Sequence, residues 1–376
     1  MKRIGLIALV VLVAASVVLA AGCKKADKNV IRIGFIAPMT GDASTYGVST
    51  KNGFTEAMEE AGGTVAGLTI QLFFEDDRND ATEAVNVATK LATQDKVHAI
   101  IGAVTTACSI PVSEVCEANK IVQITPTSTA LRVTMDPARK TFIFRACFID
   151  PFQGTVGATF ALDTLKAKKV AVMFDQGSDY TIGLANAFKE TFVAGGGEIV
   201  GWEAYAKDDV DFSAQLTKIA AAKPDILYLP DYYNKVSLIG QQARQKGITA
   251  VFLGGDGWDS SELDFAAMDG GYFTNHYSPG DRRQIVVDWV AKYTAKYGAA
   301  PDALATLGYD AGKLLLKAIE TAGSNDPTAI RDALQAIRLD VVSGTVSYDA
   351  DGNPTKAAVI LQIKDGKQVY VSTINP

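Results

Sequence analysis

Histidine is scarce in this chain: His98 and His276 are the only two among 376 residues. A histidine-based metal centre is therefore not expected, and no metal site is assigned. Cysteine is nearly as rare, at four residues. Three of these, Cys108, Cys116 and Cys147, lie beyond the N-terminal segment, an odd number that leaves at least one unpaired within the chain. On one helix Cys108 and Cys116 stand about two turns apart, too far to bridge, and all three read as buried apolar side chains. Excess positive charge is lacking as well. Lys and Arg number 36 against 42 Asp and Glu, a net charge of −6, which argues against a nucleic-acid partner. No G-x-G-x-x-G follows a strand, and there is neither a Walker A loop nor a G-x-S-x-G elbow. No acid–base pair stands at a recognisable spacing, so neither an enzyme nor a cofactor is expected. Asp349-Ala350-Asp351-Gly352-Asn353 is a faint likeness of a calcium loop. Its twelfth position falls on Ile360 rather than Glu, and the stretch reads as a hairpin turn.

Long apolar runs are confined to the N-terminus. Lys2 and Arg3 precede an apolar stretch from Ile4 to Leu19, followed by Leu19-Ala20-Ala21-Gly22-Cys23. A charged start and a short apolar core make a secretory signal, residues 1–22. Small residues directly before Cys23 resemble the bacterial lipoprotein cleavage box. That resemblance implies a lipidated Cys23, a tether over residues 23–29, and a folded part held at a membrane through the lipid alone, in the periplasm or at the cell surface.

What remains is an ordinary globular composition, 48% hydrophobic and 21% charged, long enough for two or so domains. Strand and helix patterns alternate, which predicts an α/β architecture of doubly wound parallel sheets. The stretch from Ala99 to Thr129 is the most telling. Two apolar strands, at Ala99 and Ile121, each run into a hydroxyl-rich turn, Thr105-Thr106 and Thr125-Pro126-Thr127-Ser128-Thr129. Ligands bind at the carboxyl ends of strands in such sheets. A helix starting at Thr106 offers N–H groups and a dipole to an anion without any Lys or Arg. The β/α pattern starts again near Ala146 to Asp150, so two similar units stand in tandem. Three helices follow from Asp281, Asp302 and Pro327, and then short strands at 345–348, 358–363 and 368–373. The chain is expected to cross between lobes near 147, 277 and 342. One lobe then holds 30–147 and 277–341, and the other 148–276 and 342–376.

The second unit carries different residues at its strand ends: Asp179-Tyr180, Asp231-Tyr232-Tyr233, and Asp256 with Trp258, while Tyr46 follows the first strand of the first unit. Facing the two edges together gives a cleft with N–H and OH groups on one wall. The other wall offers an acid and aromatic rings, an arrangement that suits a zwitterion.

Several stretches then resemble one family: Gly34 through Gly41 with Tyr46-Gly47, Glu75-Asp76-Asp77, Ile101-Gly102, Ile124 through Thr129, Asp175 through Tyr180, and Phe252 through Asp256. They are similar to type I periplasmic binding proteins, specifically the branched-chain amino-acid (Leu/Ile/Val) binding proteins of ABC transporters, over nearly all of residues 30–376. The resemblance implies two lobes joined by a three-segment hinge, a monomer that captures an amino acid, and a membrane permease as partner. It places carboxylate-binding groups at Thr106 and Thr129 with backbone groups at Thr127. The ammonium-binding acid falls at Asp256 and ligand-facing tyrosines at Tyr46, Tyr180 and Tyr232, while Trp258 stands where it would narrow the pocket. Thr106 stands where many relatives have Ser, and Asp256 where the best-known relatives have Glu. The ammonium must then sit closer to the second lobe, or a water must intervene. A receptor for another small carboxylate or amide, such as an aromatic acid or a urea-like ligand, is the alternative, as is a sensor for a signalling partner. A Cys23→Ser chain is expected to lose membrane association while keeping its fold and ligand affinity. Membrane fractionation checks this, and a variant that still sediments with membranes excludes the lipid as the anchor.

Overall fold

A computed structural model describes residues 29–376; the signal segment and Cys23 lie outside the described residues. The first sheet is built from β1 (Val30–Ala37), β2 (Thr64–Val65), β3 (Leu68–Asp76), β4 (Ala99–Ile101), β5 (Val122–Thr125) and β6 (Ile143–Arg145). Its helices are α1 (Ser44–Glu60), α2 (Ala81–Lys90) and α3 (Thr106–Asn119). The second unit runs α4 (Asp150–Asp163), β7 (Lys169–Asp175), α5 (Asp179–Ala194), β8 (Glu198–Tyr205), α6 (Ser213–Ala222), β9 (Ile226–Leu229), α7 (Tyr233–Gln245), β10 (Val251–Gly254) and β11 (Tyr272–Asn275). The chain ends with α8 (Gln284–Tyr297), α9 (Ala303–Ala322), α10 (Pro327–Gln335), a hairpin of β12 (Arg338–Val341) and β13 (Gly344–Ser347), then β14 (Ala358–Lys364) and β15 (Lys367–Ile374).

Strand order is β2-β3-β1-β4-β5-β6 in the first sheet and β15-β14-β11-β10-β9-β7-β8 in the second. Pairing is parallel throughout the centre of both, with antiparallel strands only at β2 and at β14–β15. The central strands Ile100, Ile101, Val122, Ile124, Val172 and Leu227 are fully buried, as sheets covered by helices on both faces require. The three cysteines of the folded part are free and buried, and burial pushes the Cys108 and Cys147 thiols up to about 12. Among the described residues no helix is long and apolar enough to cross a membrane.

Helix α9 packs along α1 at backbone distance. A Cβ on Gly53 would overlap the Ala305 carbonyl oxygen, and one on Gly308 would overlap the Thr50 carbonyl oxygen. Small residues at facing positions let the two helices close up, and this fixes the C-terminal helices onto the first sheet. Gly102 serves a different need: its φ of +123° ends β4, and a Cβ there would meet the Ile36 carbonyl.

One expectation changes. The chain rejoins the second sheet only at Ala358, later than the crossing expected near 342. Residues 338–354 stay against the first sheet, where the Tyr348 ring packs at a tilt on Phe144 with centroids 4.9 Å apart and the Thr134 hydroxyl donates to Asn353 Oδ1 at 3.1 Å. The signal was misleading because β12 alternates charged and apolar residues as an exposed two-strand ribbon does, and the turn at Gly344 separates two strands of that ribbon. A single 3-10 turn, Asp256–Trp258, follows β10. Gly53→Ala is expected to force α1 and α9 apart and to destabilise the fold by about 1–3 kcal/mol, the usual cost of overpacking. A lowered denaturation midpoint at unchanged m-value checks this.

Candidate ligand cleft

The carboxyl ends of both sheets face each other and enclose one cavity. From the first lobe it is lined by Tyr46, Val104, Thr105, Thr106, Thr127 and Leu304, and from the second by Tyr180, Tyr232, Asp256 and Gly257. The lobes stand closed on it. Tyr46 donates its hydroxyl to the Gly257 carbonyl, Tyr233 donates to Asp42 O at 2.8 Å, and the Thr45 and Ser260 hydroxyls meet at 3.1 Å. At the rim Arg132 pairs with Asp179 at 2.9 Å. That pair is exposed and contributes at most about 1 kcal/mol. The enclosed space is about 20 Å³, roughly the room one water needs. The ring of Tyr232 stacks on Tyr180 at 5.1 Å and meets Tyr46 edge-on at 5.5 Å. Tyr232 also walls a second, polar chamber of about 400 Å³ toward solvent, bordered by Asp42, Asn79, Asp175 and Asp231. Tyr232 is thus the partition between an inner and an outer space.

On the first-lobe wall the hydroxyls are largely committed to structure. Thr127 Oγ1 donates to Val104 O at 2.5 Å, Ser128 Oγ donates to the same carbonyl at 3.0 Å, and Thr125 Oγ1 donates to Ala103 O at 2.8 Å. These bonds lash the turn after β5 to the turn after β4. The fully buried guanidinium of Arg145 adds to this by donating to Ser128 O and Ala130 O at 2.8 and 3.0 Å. What the wall leaves for a ligand is the N-terminus of α3. Thr105, its N-cap residue, makes no side-chain cap there, because Thr105 Oγ1 donates to Asn79 Oδ1 at 2.8 Å. An uncapped helix start with a nearby hydroxyl, Thr106, is a site for an anion.

The second-lobe wall is opposite in character. Asp256 is 8% exposed. Its Oδ1 accepts from Tyr180 OH at 2.7 Å and Gln153 Nε2 at 2.9 Å, and its Oδ2 lies 2.9 Å from His276 Nε2. Burial alone would raise this carboxyl. The bonds from His276, Gln153 and Tyr180 outweigh that and hold it below the usual carboxylate range. Asp256 is therefore ionised. Burial, with Asp256 and the other tyrosines nearby, pushes the Tyr46, Tyr180 and Tyr232 phenols far up, so all three are neutral donors. One wall offers helix N–H groups and the other a fixed negative charge.

Comparison with known proteins fits this geometry. Residues 30–368 match the family described as periplasmic binding protein. The chain is 32% identical over 348 residues to a Leu/Ile/Val-binding protein homolog of Brucella melitensis, covering 90% of this chain and 93% of that one. The leucine-binding protein LivK of Thermotoga maritima superposes with a TM-score of 0.88 at 39% identity, over 92% of this chain and 99% of its own. LivJ of Streptococcus pneumoniae, solved with isoleucine, does so with a TM-score of 0.85 at 30% identity, over 92% and 100%.

The chain belongs to the branched-chain amino-acid binding proteins of the type I periplasmic family. Its members bind solutes and are not enzymes. Of the eight residues singled out in the sequence of this binding protein, Tyr46, Thr106, Thr127, Tyr180, Tyr232 and Asp256 line the cavity. Trp258 does not narrow it. Its indole is fully buried and donates to Leu229 O at 3.0 Å, packed against Gly254 where a Cβ would overlap the ring. The absence of a side chain at Gly254 thus draws the indole inward. Thr129 lies behind the wall, fully buried, with its hydroxyl beside the carboxyl of Asp150. Burial pushes that carboxyl well above its ordinary value. Sequence reading missed Gln153, His276, Asp150 and Arg145. The first three stand at or beside the crossings between lobes and carry no motif. The sequence offers His276 only as one of two histidines, too few for a metal centre.

Tyr46→Phe removes the bond to Gly257 and leaves the ring packing. A neutral hydrogen bond contributes about 1 kcal/mol, so the closed fraction without ligand is expected to fall about fivefold relative to open. Interlobe distances between spin labels on the two outer faces check this, and an unchanged distribution refutes the latch.

Proposed function

We propose that this protein captures a branched-chain amino acid between its lobes. The α-carboxylate sits at the N-terminus of α3, with the Thr106 hydroxyl and the Thr127 backbone, and the ammonium sits against Asp256. The side chain displaces Tyr232 from its place between Tyr46 and Tyr180. The observation that carries this is Asp256, an ionised buried carboxylate with three protein donors and one acceptor position left, facing an uncapped helix start across the cavity. The names of the sequence relatives point the same way. The ligand touches both walls only when the lobes meet, so it stabilises the closed state as a population shift. The crossings at 146–149, at 276–283 and after Pro354 act as the hinge. We further propose that Cys23 is lipidated, that the protein works as a monomer outside the cytoplasm, and that it hands its ligand to an ABC permease.

A second reading, a receptor for a small aromatic acid, draws on the box of three tyrosines. Calorimetric titration separates the two with L-leucine, its des-amino analogue 4-methylpentanoate, and benzoate. Leucine is expected to bind best. Asp256→Asn keeps the size of the side chain and removes the charge. Breaking one partner of a buried ion pair costs on the order of 3–5 kcal/mol, so leucine affinity is expected to drop by about two to three decades. Tighter binding of 4-methylpentanoate or benzoate than of leucine to the parent protein overturns the amino-acid reading.

A further inference from the structure

We propose that His276 is the positioning residue of the ligand-facing carboxylate, and that through it capture of an ammonium-bearing ligand at acidic pH is coupled to release of a proton. This rests on Asp256 being the ammonium partner. The geometry is specific. His276 follows β11, where the chain leaves the second sheet for the first lobe. Its ring stacks on Phe148 of the other nearby crossing, with centroids 3.7 Å apart and planes at 26°. On its far side Nε2 meets Asp256 Oδ2 at 2.9 Å. One imidazole therefore touches two crossings and the acid at once.

The tautomer follows from the hydrogen bonds. Nε2 faces a carboxylate and carries the proton, while Nδ1 is buried with no partner. A second proton would have to go on Nδ1, where nothing accepts it. The charged groups around the ring are Asp256, Asp259 from the same turn, and Lys356 from the segment entering β14. Asp150 also interacts with Asp256, and burial pushes its carboxyl well above its ordinary value. Burial lowers the imidazole below its ordinary value, Lys356 adds to that, and the two acids offset it only in part. At neutral pH His276 is thus an uncharged donor that aims one oxygen of Asp256 and leaves its negative charge for the ligand. When acidification protonates His276, Asp256 acquires a built-in cation and the ligand ammonium must compete with it. Binding the ammonium expels the proton, so affinity falls with falling pH.

Titrations of L-leucine into the full chain from pH 8 to pH 5 test this, alongside histidine NMR, which has only His98 and His276 to resolve. In the parent protein Kd is expected to weaken by up to about tenfold per pH unit once pH passes below the His276 titration. His276→Leu, which has no donor, is expected to bind more weakly at pH 8. His276→Gln keeps a donor at the Nε2 position, and is expected to recover most of that loss and show a flat profile. A flat profile in the parent, or the parent's slope persisting in His276→Gln, overturns the proposal. The NMR arm stands apart from ligand identity. Asp256→Asn should move the His276 titration to lower pH, and an unmoved titration overturns the coupling. If leucine fails to bind the parent at pH 8, the branched-chain reading falls by itself, and the NMR arm alone decides His276.

Discussion

A carboxylate taken out of water at the edge of a sheet needs donors, and Asp256 draws them from three separate pieces of chain. Gln153 comes from α4, Tyr180 from the start of α5, and His276 from the exit of β11. Gln153 also ties β11 into the group by donating to Thr274 Oγ1 at 2.8 Å. Gln153 and Tyr180 are far from Asp256 in sequence and His276 lies across β11 from it, so the charge can be held only once the second sheet, its helices and the crossings are assembled. Removing one partner of such a buried group costs several kcal/mol, against at most about one for the Arg132–Asp179 pair at the rim. The energetic weight of the site lies at its floor.

The facing wall solves the opposite problem without any formal charge. Hydroxyls of Thr125, Thr127 and Ser128 and the guanidinium of Arg145 are spent on backbone carbonyls. The turns after β4 and β5 are stiffened in this way, and the N–H groups at the start of α3 are left directed at the cavity. A positive backbone dipole on one lobe and a fixed negative side chain on the other give the cleft a polarity matching a zwitterion, and only one orientation of it. The close approach of α1 and α9 through Gly53 and Gly308 braces the first wall.

The alternation of strands and helices, the two tandem units and the hydroxyl-rich turns were legible in the sequence, because each depends on local patterning and on which residues end a strand. The same held for six of the eight cleft residues, since strand ends of a doubly wound sheet converge by topology alone. Thr129 and Trp258 were misjudged for a common reason. Thr129 stands two residues from Thr127 and Trp258 next to Gly257, both on the cavity wall, yet their side chains turn inward, Thr129 beside Asp150 and Trp258 into the space left by Gly254. The third crossing was placed too early, since a two-strand ribbon and a sheet edge share one pattern.

The sequence by itself therefore determined the fold class, the family, and the sign of each wall of the cleft, all of which follow from periodicity, turn chemistry and the identity of residues at strand ends. Only the tertiary structure decided which hydroxyls are consumed internally, that Asp256 is held ionised, and that His276 is the group that holds it to the crossings. Those outcomes depend on distances between segments that are apart in sequence, from His276 and Asp256 to Gln153 and Asp256, and on burial. Neither is written in local sequence, because a side chain's charge state is set by what the whole fold packs around it.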